Sequence, residues 1–590
     1  MRLEDYWGIG PKTSELLTAE LGSDRAVDAI ESADVRALVD AGLHRGRATR
    51  ILRRANGEAG MDVLATGDTR SVYDDLLTLA AGYALTEHAA DRIRVLTPLL
   101  DRGAIASRLD EVVAAREAWT GLDETEHDRV VEAFAAYDEA GGTDRAAVET
   151  ALALREAGLT GETFDALARL DDGALRTAAA ALGDLRGSLD GDDAAVADGA
   201  DAELDRLREQ LAAAEGLADS AFDVLDRVRD GSLRDFDALE AATVDHVAGE
   251  TGVASARVRA AAPEDALDAA DFVSATLRRL VDDLTEAVDE RETTVAADLR
   301  DRVGDADGDV ARAVEVVSDI AVDLSLGRFA AEYQLTRPRL VDDGVAVRGA
   351  RNPFIDDPVQ PVSYAVGTHS LAGAGEPAPP SGDRVSVLTG ANSGGKTTLL
   401  ETVCAVVLLA SMGLPVPADE AAVGPFDRVV FHRRHASFNA GVLESTLRSV
   451  VPPLVETGRT LMLVDEFEAI TEPGRAADLL NGLVDLTVDR GALGVYVTHL
   501  AEDLSPLPDA ARIDGIFAEG LTTDLDLRVD YQPRFNTIGR STPEFIVSRL
   551  VANATDRPCA RVRTPRGVRR RGGSPADALG RALDGRRGGD

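Results

Sequence analysis

The stretch "VLTGANSGGKTTLLE", residues 387–401, decides how the rest of this chain is read. An apolar run enters a glycine turn, and a lysine, two threonines and a helical pattern follow. The chain has only two lysines in 590 residues, Lys12 and Lys396, and arginine supplies the other 61 of its 63 basic side chains. A lysine retained at this place calls for a chemical reason.

"GANSGGKT" satisfies G-x-x-x-x-G-K-[ST] at Gly390, Gly395, Lys396 and Thr397, with a strand before it and a helix after it. Gly390, Ala391, Asn392, Ser393, Gly394, Gly395, Lys396, Thr397 and Thr398 are read as a nest of main-chain N–H groups around phosphates, aided by a helix N-terminus. A compact ammonium fits such a nest where a planar guanidinium does not. Sixty-nine residues beyond Lys396, the run "TLMLVDE" ends in Asp465 and Glu466. Thr397 and Asp465 are read as the Mg²⁺ ligands, and Glu466 as the group that orients or deprotonates water. "VYVTHL" ends a further strand in His499, placed towards the γ-phosphate. The expected catalytic set is Lys396, Glu466 and His499, and the expected cofactors are ATP and Mg²⁺.

The composition sets the frame. Acidic residues number 104, for a net charge of −41, and the chain is 45% hydrophobic but only 4% aromatic. Acid spread along the chain, with arginine replacing lysine, fits a cytoplasm at high salt, where the Debye length falls to about 3 Å near 1 M. Contact with nucleic acid then needs local basic patches or main-chain donors. Cys404 and Cys559 suggest neither a disulfide framework nor a metal site. No apolar run reaches the ~18 residues of a membrane span, and "MRLEDYWGIG" has no signal-peptide core. The expectation is a cytoplasmic protein with no membrane contact.

The expected fold is multidomain: a helical N-terminal region followed by an α/β P-loop ATPase domain. Residues 1–60 hold two glycine turns before helix starts, "GIGPKTSELL" and "AGLHRGRATRIL". Residues 61–200 read as a helical core. Residues 201–335 read as long amphipathic helices, an arm or an ordinary bundle, with Leu204, Leu207, Leu211, Leu277, Leu280 and Leu284 at helical steps. From residue 336 to 554, strands at 385–388, 427–433, 460–464 and 494–499 alternate with helices, the pattern of a mostly parallel sheet. Residues 555–590 form an Arg-rich tail, read as disordered.

The phosphate loop, carboxylate pair and histidine resemble those of ABC-type ATPases, and within them the MutS family. The resemblance is carried by "TGANSGGKTT", by "VAVRGARNPF", by "LLASMGLPVPADEAAVGPFDRVVFHR" at 408–433 and by "YQPRFNTIGRSTPEFIVSRL" at 531–550. It covers residues 336–554. It implies a homodimer in which a Ser-Thr-Phe loop of one subunit completes the other's nucleotide site. The matching stretch here is Ala436-Ser437-Phe438, with Ser437 or Asn439 as the trans contact. The aromatic that stacks on adenine falls near Tyr364, a position that also suits a core tyrosine. No Phe-x-Glu wedge occurs in the first 330 residues. The chain therefore resembles an archaeal, halophilic branch without a mismatch-reading domain.

"YWGIGPKTSELL" resembles a helix-hairpin-helix, in which main-chain N–H groups of a Gly-x-Gly turn meet a DNA phosphate. Gly8, Gly10 and Lys12 carry the first hairpin, and Gly42, Arg45 and Arg47 the second. Such donors bind DNA through its backbone and read structure rather than sequence. The expected function is ATP-dependent DNA binding in repair or recombination. The alternatives are a chromosome-organising ATPase and the ATPase subunit of a transporter, both of which ordinarily carry a Leu-Ser-Gly-Gly signature that is absent here.

Overall fold

The computed structural model describes residues 3–186, 195–229, 236–356, 359–369, 371, 378–390, 395–433, 440–466, 473–504, 506–521 and 527–539. The expected loop residues 391–394, the Ser437 stretch and the Arg-rich tail lie outside them.

The chain opens with α1 (Pro11–Leu21), α2 (Ser23–Glu31), α3 (Val35–Asp40) and α4 (Arg45–Met61). Pro11 suits the first turn of α1, where its missing N–H costs nothing. Asp34 caps α3 by accepting from the Ala37 N–H at 3.0 Å. Gly8 and Gly42 hold φ of 82° and 93°, a left-handed turn that a side chain would strain. Leu17, Ile30, Leu38, Ile51 and Leu52 join both turns and all four helices in one small core.

A larger helical body follows: α5 (Gly67–Ala81), α6 (Glu87–Arg94), α7 (Arg102–Gly121), α8 (Glu124–Glu139), α9 (Asp144–Glu156), α10 (Asp165–Ala168) and α11 (Asp172–Asp184). The short strands β1 (Leu185–Arg186) and β2 (Ala195–Val196) pair antiparallel and lead into the arm. The arm comprises α12 (Ala202–Asp219), α13 (Ala221–Arg229), α14 (Phe236–Thr251), α15 (Ser255–Ala261) and the 37-residue α16 (Ala269–Asp305). At 1.5 Å per residue α16 spans roughly 55 Å. The expected leucines Leu204, Leu207, Leu277, Leu280 and Leu284 are buried in the arm's own core.

One boundary moves. Helix α17 (Asp307–Glu332), counted with the arm from its sequence, lies in the helical body instead. Its Gly327 crosses α7 so closely that a Cβ there would sit 2.7 Å from the carbonyl of Ala115. Periodicity shows that a helix has an apolar face but not which neighbour covers it.

The C-terminal region is built on two sheets. Strands β3 (Arg339–Leu340), β4 (Val345–Ala350), β5 (Val362–Val366) and β7 (Glu420–Val423) form a sheet in the order β3-β7-β4-β5. Strands β6 (Val385–Gly390), β8 (Arg428–His432), β9 (Thr460–Asp465), β10 (Leu493–Val497), β11 (Ala511–Leu521) and β12 (Leu527–Arg534) form the other. Its order is β12-β11-β6-β10-β9-β8, parallel except where β12 runs against β11. Both faces are covered, so the strands are apolar throughout. Met462 and Val464 face α19 (Ala440–Val455) and α20 (Pro473–Asp489). Leu461 and Leu463 face α18 (Lys396–Ser411) and the helical body. Among the described residues no helix is long and apolar enough to cross a membrane.

Gly327→Val should force α7 and α17 apart and cost about 3 kcal/mol of stability, the range of overpacked cores. A thermal melt of the variant that matches the parent would contradict this crossing.

Candidate functional site

The site forms where β6, β9 and β10 end together. Gly390, the last residue of β6, has φ 135°, and a Cβ on it would stand 2.3 Å from the Ile516 carbonyl oxygen. Only glycine lets the chain turn there. Gly395 caps α18 in the left-handed conformation, with φ 73°. Residues 391–394 between them are outside the described set.

Lys396 begins α18, is 4% exposed, and donates from Nζ to the Gly390 carbonyl at 2.9 Å. The ammonium is thus held across the loop it serves. Thr397 Oγ1 donates to Asp465 Oδ2 at 2.5 Å. A hydroxyl and a carboxylate meeting at a helix N-terminus are the hard oxygen donors that Mg²⁺ takes, with water and phosphate completing an octahedron. The donor set therefore fits the ion expected from the sequence.

Glu466 follows β9 with φ 42°, a left-handed conformation rare outside glycine. Its N–H donates to Val497 O at 3.0 Å, which ties the strained residue to the end of β10. His499, two residues beyond β10, donates from Nε2 to Glu466 Oε1 at 2.8 Å. Parallel pairing of β9 with β10 creates this meeting from residues 33 apart. Strain retained at a carboxylate so placed is characteristic of functional sites.

A cavity of about 460 Å³ opens beside these groups. Lys396, Thr397, Thr398 and Glu466 line one part, and Ile355, Val359, Val362 and Tyr531 supply apolar wall. Its volume is in the range of small-molecule sites. Tyr531, on β12, lies against Gly395: a Cβ on that glycine would be 2.8 Å from its ring. The tyrosine is 41% exposed, so a ring face is available for stacking.

Tyr364 is not at this cavity's surface. It lies on β5, 1% exposed, and its hydroxyl donates to Ser386 Oγ at 2.6 Å. Ser386 in turn donates to Asp514 Oδ2, also at 2.6 Å. Burial pushes the Tyr364 phenol far above its ordinary range. The expected adenine-stacking role is corrected: Tyr364 is a core residue, and Tyr531 is the aromatic on the cavity. Counting from Arg351 landed on a strand whose ring points inward. Tyr531 heads a stretch singled out in the sequence, but only the pairing of β12 with β11 brings it over Gly395.

The two glycine turns read as hairpins lie apart from the cavity. Lys12, Gly8 and Gly10 are exposed. The run from Arg45 to Arg54 carries five arginines and no acid, in a chain of net charge −41. Four of these arginines are already engaged, among them Arg53, which pairs with Asp74 on α5 at 2.6 Å, and Arg54, which pairs with Asp62 at 3.4 Å. Arg45 pairs with buried Asp91 on α6 at 2.9 Å. Arg47 donates to Gly8 O at 3.2 Å and Thr13 Oγ1 at 2.7 Å, stitching the second hairpin to the first. Arg50 was missed from sequence; it is exposed and, among the described residues, reaches only its own helix, at Gly46 O. Trp7 was missed too: it is 53% exposed beside the first hairpin, with the Arg54 guanidinium 5.7 Å from its ring centre.

Comparison with known proteins locates the same region. Residues 386–467 match the family MutS domain V. The DNA-binding protein MutS2 of Pyrococcus furiosus is 46% identical over 216 residues, 36% of this chain and 37% of that protein. The endonuclease MutS2 of Thermus thermophilus is 29% identical over 268 residues, 44% of this chain and 33% of its own. The DNA mismatch repair protein MutS of Natronomonas pharaonis is 27% identical over 272 residues, 44% of this chain and 30% of its own. The chain spans about a third of the length of these relatives.

Tyr531→Ala should weaken adenine-nucleotide binding about tenfold, the loss of one stacking face. Tyr364→Phe should leave that affinity unchanged and lower stability by about 1 kcal/mol, one buried hydrogen bond. Titration of a fluorescent ATP analogue, with melting curves beside it, separates the two; the opposite assignment of effects would restore Tyr364 to the site.

Proposed function

We propose that this chain is, by its α/β region, a member of the MutS family, and a DNA-binding ATPase working in DNA repair or recombination. One observation carries the reading. Lys396, Thr397, Asp465, Glu466 and His499, drawn from three parallel strand ends, converge beside one nucleotide-sized cavity.

The reaction is attack of water on the γ-phosphorus of ATP. The bond to the β–γ bridging oxygen breaks, and ADP and phosphate leave. Glu466 holds the attacking water and draws its proton. His499, bonded to Glu466 Oε1, fixes which way that carboxylate faces. Lys396 exchanges its bond to Gly390 O for the phosphate oxygens and spreads the charge that develops on them. Thr397 and Asp465 would hold Mg²⁺, which when bound would supply charge neutralisation to the triphosphate. Tyr531 stacks on the base.

In this reading the chain acts as a homodimer, each copy closing the other's nucleotide site. Ser437 was the expected trans residue. Asn439 is the alternative in the same stretch. DNA is gripped through its phosphates by the exposed faces of Gly8, Gly10, Lys12 and Arg50, with Gly42 shaping the second turn. Arg45 and Arg47 act chiefly by holding the hairpin pair together and docked on α6.

Lys396→Ala should lower ATP turnover by at least about a hundredfold, and Glu466→Gln should retain bound ATP while stopping hydrolysis. Turnover that survives Lys396→Ala would remove the site. Lys12→Glu with Arg50→Glu should weaken duplex binding and reduce its log–log salt slope by about two. A slope unchanged from the parent would place the DNA contact elsewhere.

A further inference from the structure

Residues 63–69, which connect the hairpin module to the helical body, lie along the β8 edge of the main sheet. The Val429 N–H donates to Val63 O at 2.7 Å, and the Ala65 N–H donates to Val429 O at 3.2 Å. Beyond that point side chains take over from backbone. Thr66 Oγ1 donates to Phe431 O at 2.5 Å, and Thr69 Oγ1 donates to Val429 O at 3.0 Å. The Phe431 N–H donates to Thr69 Oγ1 at 2.9 Å. Thr66 is 6% exposed and Thr69 is fully buried. The first turn of α5 thus supplies the bonds that an adjacent strand would otherwise make.

The contact continues towards the nucleotide cavity. The Arg433 N–H, just past β8, donates to Asp68 Oδ2 at 2.8 Å. The Arg433 guanidinium pairs with Glu401 Oε1, one turn along α18 from Thr397. Glu401 Oε2 accepts from Asn352 Nδ2 at 3.0 Å. Asn352 is 4% exposed, lines the cavity, and accepts at Oδ1 from the Phe354 N–H at 2.8 Å. That last bond sets the turn leading into the cavity wall at Ile355. An unbroken polar chain therefore runs from α5 to the nucleotide wall. Helix α4 breaks at Gly57 (φ −155°, ψ 39°), between the basic run and its end five residues before α5, and the Arg53–Asp74 pair at 2.6 Å ties the basic run directly to α5.

We propose that Asp68, Arg433, Glu401 and Asn352 are positioning residues that transmit the state of the DNA hairpins to the nucleotide cavity within one chain. The proposal rests on the readings of that cavity as an ATP site and of the hairpins as the DNA contact, the second of which the Lys12 and Arg50 salt-slope experiment tests separately. DNA seated on the hairpins shifts α4 and α5 together. The threonine clamp carries the shift to β8. Arg433 then pulls or releases Glu401, and Asn352 moves the wall that closes on the base. Linkage makes the effect reciprocal: DNA changes ATP affinity by the factor with which ATP changes DNA affinity.

The test titrates a fluorescent ATP analogue with Mg²⁺ into the full chain, with and without a 30-base-pair duplex. The parent should show a severalfold change in nucleotide affinity when duplex is present. Arg433→Gln should bring that ratio to about one, while duplex affinity of the nucleotide-free chain stays within about twofold. Arg433→Gln with Glu401→Gln should be no worse than either alone, because the pair acts as one unit. Thr69→Val should lose the linkage and Thr69→Ser, which keeps the hydroxyl, should retain it; this pair decides the matter if Arg433→Gln fails to fold. A parent that binds both ligands without linkage overturns the relay and leaves the cavity standing, and so does linkage that survives Arg433→Gln and Thr69→Val. Nucleotide binding equal in the parent and Lys396→Ala overturns the cavity reading instead.

Discussion

Everything in the nucleotide half depends on the burial of α18. This helix is apolar on all sides, and every residue from Thr402 to Ala410 is buried. A helix of that kind needs cover all round. The sheet supplies one side and the helical body the other, so the two halves share one continuous core. The C-terminal end of the helix is tied to the helical body as well. The Leu99 N–H donates to Ser411 O at 2.7 Å, and Arg108 donates to Met412 O at 3.0 Å. A cation at the C-terminal end complements the helix dipole, and phosphates complement it at the N-terminal end. Burial lowers the Arg108 pKa. The phosphate loop is therefore mounted on an element that cannot move without the helical body.

A second constraint acts from the opposite side of the loop. Arg512 and Asp514, on β11, form a buried pair 2.9 Å apart, with Ser386 and the Tyr364 ring packed around them. From it, Thr389 Oγ1 donates to Asp514 O at 3.1 Å and accepts the Gly539 N–H at 2.6 Å. Gly539 lies beyond β12, so the C-terminal segment is pinned to the residue immediately before Gly390. A buried charge pair adds little to stability, but a fully satisfied one specifies a single arrangement. Here it fixes the register of β6, β11 and the returning chain around the loop.

Features that depend on neighbours in sequence were legible from sequence. The strand and helix that flank the phosphate motif, the strand that ends in Asp465 and the helices that follow the two glycine turns each rest on local residue patterns, and those elements stand where they were read. Features set by distant partners were not. The helix α17 was placed with the arm because its apolar face does not name the face it meets. Tyr364 and Tyr531 differ in role because one points into the core and the other over Gly395. Arg47 looked like a phosphate ligand until Gly8, 39 residues earlier, appeared beneath it. The threonine clamp joins residues 360 and 365 apart and has no local signature. The tertiary fold alone decides such contacts.

The clamp on β8 has a consequence for how this protein can be divided. A strand at a sheet margin offers bare amides and carbonyls to any passing chain, and natural proteins hide them. Here the concealment comes from hydroxyls some 360 residues upstream. A fragment beginning near residue 336 would display an open β-ladder together with the uncovered flank of α18. Such a piece would associate with itself rather than fold alone, so the ATPase region is not a transplantable unit, although the sequence boundary makes it look like one.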